Sequence, residues 1–215
     1  MIKVLIGTPA YNSLVHTDYL HFTLSLTTVS DIAFSVITIG NESLITRARN
    51  KIFSIFVNSD FDYLFFLDAD TGVSVDDFMK ILSYKKDIIG IPYRMKDLSR
   101  TIYNYGKVLD ENEYPLIEVE GMGCGAMLIS KQLASDVAKW CRDNGYIYFD
   151  NPNYSRGDVY LLNNIEMYDA FQVGIVNKGY VPEDYMFCRL VRQLGYKIYV
   201  DVSCKAIHYG SLPLT

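Results

Sequence analysis

What most constrains this chain is an alternation between two hydrophobic periods. Four short apolar runs, each halted by glycine, proline or an acid, read as strands: KVLIG (Lys3–Gly7), FSVITIG (Phe34–Gly40), FDYLFFLD (Phe61–Asp68) and DIIGIPY (Asp87–Tyr93). Between them lie stretches with helical spacing. HTDYLHFTLSLTTVS carries Leu20, Leu24 and Leu26. NESLITRARNKIFSIFVNS places Leu44, Ala48, Ile52 and Ile55 on one face, with Asn41 or Ser43 as candidate cap. SVDDFMKILSYK has Ser74 as N-cap and acids in its first turn. Strand and helix thus alternate over about the first 95 residues. That predicts an α/β domain: a mainly parallel central sheet with helices on both faces.

The rhythm then changes. Residues 101–120 read as a small antiparallel hairpin region turning at DENEYP. GMGCGAMLIS is a glycine-rich turn feeding a short strand, and KQLASDVAKWCRDNG a helix ending near Gly145. NPNYSRGD and NKGYVP read as loops, with Ser155–Asp158 expected to lie over a site. PEDYMFCRLVRQLGY reads as a helix with Pro182 at its first position, and KIYVDVSCKAIHYG as a final strand and tail. No repeat, low-complexity segment or linker intervenes, so residues 1–215 read as one domain.

Composition narrows the function classes. With 215 residues, half of them hydrophobic, the chain can bury a real core. The net charge of −5 and the lack of a Lys/Arg cluster argue against nucleic acid as a partner. No apolar run approaches membrane-spanning length, and MIKVLIGTPA reads as a strand rather than a signal peptide. Cys124, Cys141, Cys188 and Cys204 show no CxxC spacing and read as reduced core thiols of a cytoplasmic compartment, with a disulfide pair as the alternative.

The chemistry concentrates at YLFFLDADTGVS (Tyr63–Ser74), where an apolar strand drives into Asp68 and Asp70. Ligands of open parallel sheets bind beyond the carboxyl ends of the strands. Two carboxylates two residues apart there can share a hard divalent cation, which also bridges phosphate oxygens. The plainer alternative is an Asp-x-Asp turn or a cap before Ser74.

These residues resemble the GT-A nucleotide-sugar glycosyltransferases. The resemblance rests on Asp-x-Asp after an apolar strand, TPAYN after the first strand, SLITRARN, PEDYMFCRLVRQLGYKIYVD and IHYG, and it covers nearly the whole chain. It extends to viral glycosyltransferase domains that act on capsid glycoprotein, which implies the host cytoplasm. It implies a single GT-A (Rossmann-like) domain, with residues 1–95 as the nucleotide-binding half and 96–215 as the acceptor-binding half. It also implies a nucleotide-sugar donor, UDP-sugar favoured over GDP-sugar, and a glycan or glycoprotein acceptor. The metal it implies is Mn2+, with Mg2+ as substitute. The chain is compatible with being one module of a longer protein.

The resemblance assigns roles residue by residue. Asp70 is the direct metal ligand, His208 the imidazole ligand, and Asp68 binds ribose or the metal's waters. Thr8, Pro9, Ala10, Tyr11 and Ala69 border the nucleotide. Arg47 is preferred for a base or diphosphate contact, leaving Arg49 or Asn50 to fix the helix to the sheet. Gly123, within GMGCGAM, lines the sugar and acceptor pocket. Asp184, with Glu183 second, is the general base of an inverting enzyme, or positions substrate in a retaining one. His16 and His21 carry no such support.

Two other readings stand beside this one. FLDADT superficially resembles the nucleophile motif of haloacid dehalogenase-type phosphatases, but that motif sits on a first strand, and here two strands and two helices precede it. A non-catalytic nucleotide-sugar-binding domain is the other.

Overall fold

The structure, a computed structural model, describes residues 1–97, 99–149 and 165–210. The segment NPNYSRGD lies outside the described residues. Strand β1 (Ile2–Ala10), helix α1 (Thr17–Leu26), β2 (Ile32–Gly40), α2 (Ile45–Val57) and β3 (Tyr63–Leu67) come first. Then follow β4 (Thr71–Val73), α3 (Val75–Ser83) and β5 (Ile88–Gly90). The second half holds β6 (Val108–Glu113), β7 (Leu116–Val119), β8 (Ala126–Ser130), α4 (Lys131–Asp143), β9 (Ile147–Tyr148) and β10 (Met167–Tyr168). It continues through β11 (Gly174–Val176), β12 (Gly179–Val181), α5 (Glu183–Gln193), β13 (Ile198–Asp201) and β14 (Ala206–His208).

Among the described residues the main sheet has eight strands in the order β2-β1-β3-β8-β5-β13-β7-β6. β2, β1 and β3 pair in parallel, as do β5 and β13. β8 inserts antiparallel between β3 and β5, and β7 runs against both of its neighbours, β13 and β6. The sheet is therefore a mixed α/β sheet in which β7 and β8 oppose the common direction of the other six strands.

Alternation along each strand feeds two cores. Leu5, Leu64, Phe66, Met127 and Ile129 face α2, α4 and α5. Val4, Ile6, Phe65, Leu67 and Leu128 face α1 and α3. Helices thus cover both faces, as the sequence predicts, and β1 and β3 are buried on both sides.

Several local expectations change. α1 packs through Tyr19, Phe22 and Leu26, whereas Leu20 and Leu24 are 47% and 57% exposed. The aromatic side chains bury more area than the leucines and take the inner face. α2 buries Ala48, Ile52, Phe53 and Phe56, leaving Leu44 exposed. Its N-cap is Leu44, with no side-chain bond from it; the Leu44 N–H is met by the Glu42 carboxylate at 3.2 Å. Asn41 instead turns the chain at φ 55°. Pro182 is the N-cap of α5 rather than its first helical residue. Ser74 does cap α3, its Oγ accepting from the Asp77 N–H at 3.0 Å.

NKGYVP is not a loop but the turn and second strand of the β11–β12 hairpin. Asn177 and Lys178 both take positive φ, 50° and 68°, as a two-residue hairpin turn requires. The C-terminal run splits: β13 joins the main sheet, while β14 leaves it to pair antiparallel with β4. All four cysteines are buried and free. Among the described residues no helix is long and apolar enough to cross a membrane.

Candidate active site at the carboxyl ends of β1 and β3

β3 ends at the buried Leu67, and the next residues form a turn closed by the Thr71 N–H donating to the Asp68 carbonyl at 3.0 Å. The Asp68 N–H donates to the Gly125 carbonyl at 3.0 Å, tying this turn to the glycine-rich loop. The chain then enters β4, which pairs with β14 so that Thr71 lies opposite His208. The Tyr209 N–H donates to the Asp70 carbonyl at 2.8 Å. This small ribbon brings the C-terminal imidazole to the aspartate: His208 Nε2 is 3.7 Å from Asp70 Oδ1.

The tautomer of His208 follows from its other nitrogen. Nδ1 lies 3.3 Å from the Arg94 carbonyl, which can only accept, so Nδ1 carries the proton. Nε2 then offers its lone pair toward Asp70. Burial holds the imidazole pKa below its ordinary value, the nearby Lys96 cation adds to this, and Asp70 opposes it. The ring is thus kept neutral, the form that binds metals. Lys96 is the immediate partner of Asp70, its Nζ ion-paired with Oδ2.

In front of these groups lies a cleft of about 640 Å³, lined by Pro9, Tyr11, His16, Asp68, Ala69, Asp70, Lys96 and Tyr209 among others. That volume suits a small-molecule ligand. The loop after β1 forms one wall and is fixed to the aspartate turn by the His16 N–H donating to the Ala69 carbonyl at 2.8 Å. Tyr11 is 65% exposed on the rim. The His16 ring stacks on Tyr209, with centroids 3.4 Å apart. Thr8 and Ala10 are buried beneath this wall rather than lining it, and Thr8 Oγ1 bonds the Tyr19 hydroxyl at 2.8 Å.

Behind the cleft is a buried charge network. Arg49, 4% exposed, donates from Nη2 to Asp68 Oδ2 and from Nε to Glu183 Oε1, both at 3.2 Å. Its Nη1 sits 3.1 Å from Asp68 Oδ1, close enough for charge pairing but not aligned as a hydrogen bond. Asp68 therefore spends its carboxylate on Arg49. Arg47 lies apart, gripped by Glu42 through Nε at 2.5 Å and Nη2 at 2.8 Å. Asn50 fixes α2 to residues 169–171, donating to Asp169 at 2.7 Å and accepting the Phe171 N–H at 2.8 Å.

Glu183 and Asp184 open α5 beside the glycine-rich loop. A Cβ on Gly123 would sit 2.7 Å from the Tyr93 hydroxyl and 3.3 Å from Asp184 Oδ2, so only glycine allows this approach. The Asp184 carboxyl accepts the Tyr185 N–H at 2.8 Å. Burial pushes its pKa up to about 6, with Glu183 adding to the rise. Asp184 does not line the cleft itself; it is half-buried next to Glu183, the buried partner of Arg49.

Among the described residues no group of three His, Cys, Asp or Glu side chains could hold a metal. Asp70 and His208 make a two-donor set, one carboxylate oxygen and one imidazole nitrogen. Oxygen and imidazole donors of this kind would suit a divalent cation that takes its other ligands from outside the chain. The Lys96 ammonium already shows that Asp70 accommodates a cation. Sequence reasoning missed Lys96, Tyr93 and Tyr209, and set His16 aside. Only the His16 side chain carried any chemical signal.

No family model and no curated protein matches the chain. Solved structures do. A197 from STIV, a viral protein, superposes with a TM-score of 0.60 at 19% identity, covering 98% of this chain and 87% of that one. GalNAc-T7, solved with UDP, GalNAc and Mn2+, superposes with a TM-score of 0.55 at 10% identity, covering 99% of this chain. The match spans only 44% of GalNAc-T7, less than half its length. At these identities the likeness is one of fold: a mixed α/β, Rossmann-like domain.

Proposed function

We propose that this chain is a Mn2+-dependent glycosyltransferase that moves a sugar from a nucleotide-diphosphate sugar, UDP-sugar before GDP-sugar, to a hydroxyl of a glycan or glycoprotein. The observation that carries the reading is the approach of His208 to Asp70, an aspartate that lines a ligand-sized cleft, on a fold shared with a UDP- and Mn2+-containing structure.

In this reading Asp70 and His208 hold the metal, which when bound neutralises charge on the departing diphosphate. Tyr11 and Pro9 border the base, and Asp68, fixed by Arg49, is oriented toward the ribose. Asp184 has a pKa near neutrality, suited to taking the acceptor hydroxyl's proton as the acceptor oxygen bonds the anomeric carbon. The bond from that carbon to the diphosphate breaks, and the nucleotide leaves with the electron pair. In a retaining reaction Asp184 would position the acceptor instead. A phosphatase nucleophile is disfavoured at Asp68, because Arg49 occupies its carboxylate.

The test is turnover of UDP- and GDP-sugars with Mn2+, comparing wild type with Asp70→Ala. Loss of turnover in the variant supports the proposal; full turnover without Asp70 refutes it.

A further inference from the structure

The Asp70 carboxylate already carries a cation supplied by the chain. Lys96 extends from the segment after β5, and its Nζ sits on Asp70 Oδ2. The segment is held in place at several points. The Met95 N–H donates to the Ile102 carbonyl at 2.8 Å, and the Arg94 carbonyl meets His208 Nδ1 at 3.3 Å. The lysine stem runs along Gly210, where a Cβ would come within 3.3 Å of Lys96 Cδ. Lys96 also lines the same cleft as Asp70, Ala69 and Tyr209. The ammonium is half exposed, so its position is not forced by burial; it follows the carboxylate.

A divalent cation on Asp70 would compete with the ammonium for the charge of the same carboxylate, and the two cations repel each other, so the Lys96 pairing weakens. Lys96 is then released from Asp70 toward a better partner, and with Asp68 held by Arg49 that partner is an anionic ligand in the cleft. We infer that Lys96 is an internal stand-in for the divalent cation, which holds Asp70 in the free protein and passes to the diphosphate when metal and nucleotide bind together. This rests on the proposed function for the identity of metal and nucleotide. Its consequence is a coupling. Metal alone weakens the Lys96 pairing with no new partner for the ammonium, whereas metal with nucleoside diphosphate gives it one. Each therefore strengthens the other's binding by the same factor.

The test measures Mn2+ affinity by electron paramagnetic resonance, with and without UDP, in wild type, Lys96→Met and Lys96→Arg. In wild type UDP should tighten Mn2+ by about tenfold or more. In Lys96→Met, Mn2+ alone should bind about tenfold tighter than in wild type, and UDP should bind more weakly at saturating Mn2+, so the coupling shrinks. Lys96→Arg keeps the charge and should stay near wild type. Equal Mn2+ affinity and undiminished coupling in Lys96→Met would overturn the inference while leaving the proposed function intact. An Arg variant that behaves like the Met variant would also overturn it, because charge would then not be the cause. Absence of Mn2+ binding in every variant would overturn both.

Discussion

Arg49 and Glu183, 134 residues apart in sequence, meet at 3.2 Å in the interior. Arg49 is nearly inaccessible, and its other arm holds Asp68. One guanidinium thus joins the end of β3 to the start of α5, the two places where carboxylates approach the site. Removing it would strand two acidic groups in a poorly hydrated setting. Arg49→Met should destabilise the fold by about 3–5 kcal/mol. Arg49→Lys should recover only part, since an ammonium cannot reproduce the forked contact. Denaturant unfolding of the three proteins checks this.

The raised pKa of Asp184 gives a pH dependence of defined sign. The folded state keeps the proton up to about 6, against an ordinary value of 3.8. Below about pH 4 the folded form bears no ionisation cost. As pH rises from about 4 to 6 the unfolded chain ionises first, and stability falls by up to about 3 kcal/mol. Asp184→Asn should flatten the stability profile in that window. In the proposed reaction, the acidic limb of the rate profile should also have its midpoint near pH 6.

Asp201 gives the opposite slope in a lower window. Burial opposes its charge, but hydrogen bonds from Ser203, Lys80 and Tyr84 prevail and pull its pKa down to about 2. Its contribution is present above about pH 4 and is lost as pH falls from about 4 to 2. Asp201→Asn should lower stability at neutral pH and remove that part of the acid transition. Unfolding curves at pH 2, 3, 4 and 7 distinguish this from the Asp184 effect.

The glycine-rich loop owes its sequence to Tyr93. A Cβ on Gly125 would fall 2.7 Å from the Tyr93 hydroxyl, which itself accepts the Gly125 N–H at 3.2 Å. Gly125→Ala should cost about 1–3 kcal/mol. Adding Tyr93→Phe should return part of that cost, a non-additivity that a double-mutant cycle reads directly.

Much of this was legible in the sequence because it is periodic. β1 and β3 announce themselves as continuous apolar runs, and the aspartates stand out because a buried strand ends in charge. The sequence reading of α1 singled out no inner face, because Leu20 and Leu24 share the helical spacing that Tyr19, Phe22 and Leu26 use. The place of β8 between β3 and β5 was not legible, since strand order depends on crossovers and not on local pattern. The partners of Asp70 depend on the β4–β14 pairing, which joins distant segments of three residues each. Lys96 arrives from a third segment and looks like any surface lysine until the chain is folded. Arg49 and Arg47 lie two positions apart on one helix, and only the tertiary packing decides that Arg49 meets Asp68.

The most direct test of the account is the thermal shift of wild type and Asp70→Ala with UDP or GDP, each with and without Mn2+. The account predicts that wild type is stabilised when UDP and Mn2+ are both present, by about 2.7 kcal/mol at a hundredfold excess over Kd, and that Asp70→Ala loses the shift. An equal shift in Asp70→Ala, or none with any nucleotide in wild type, would contradict it.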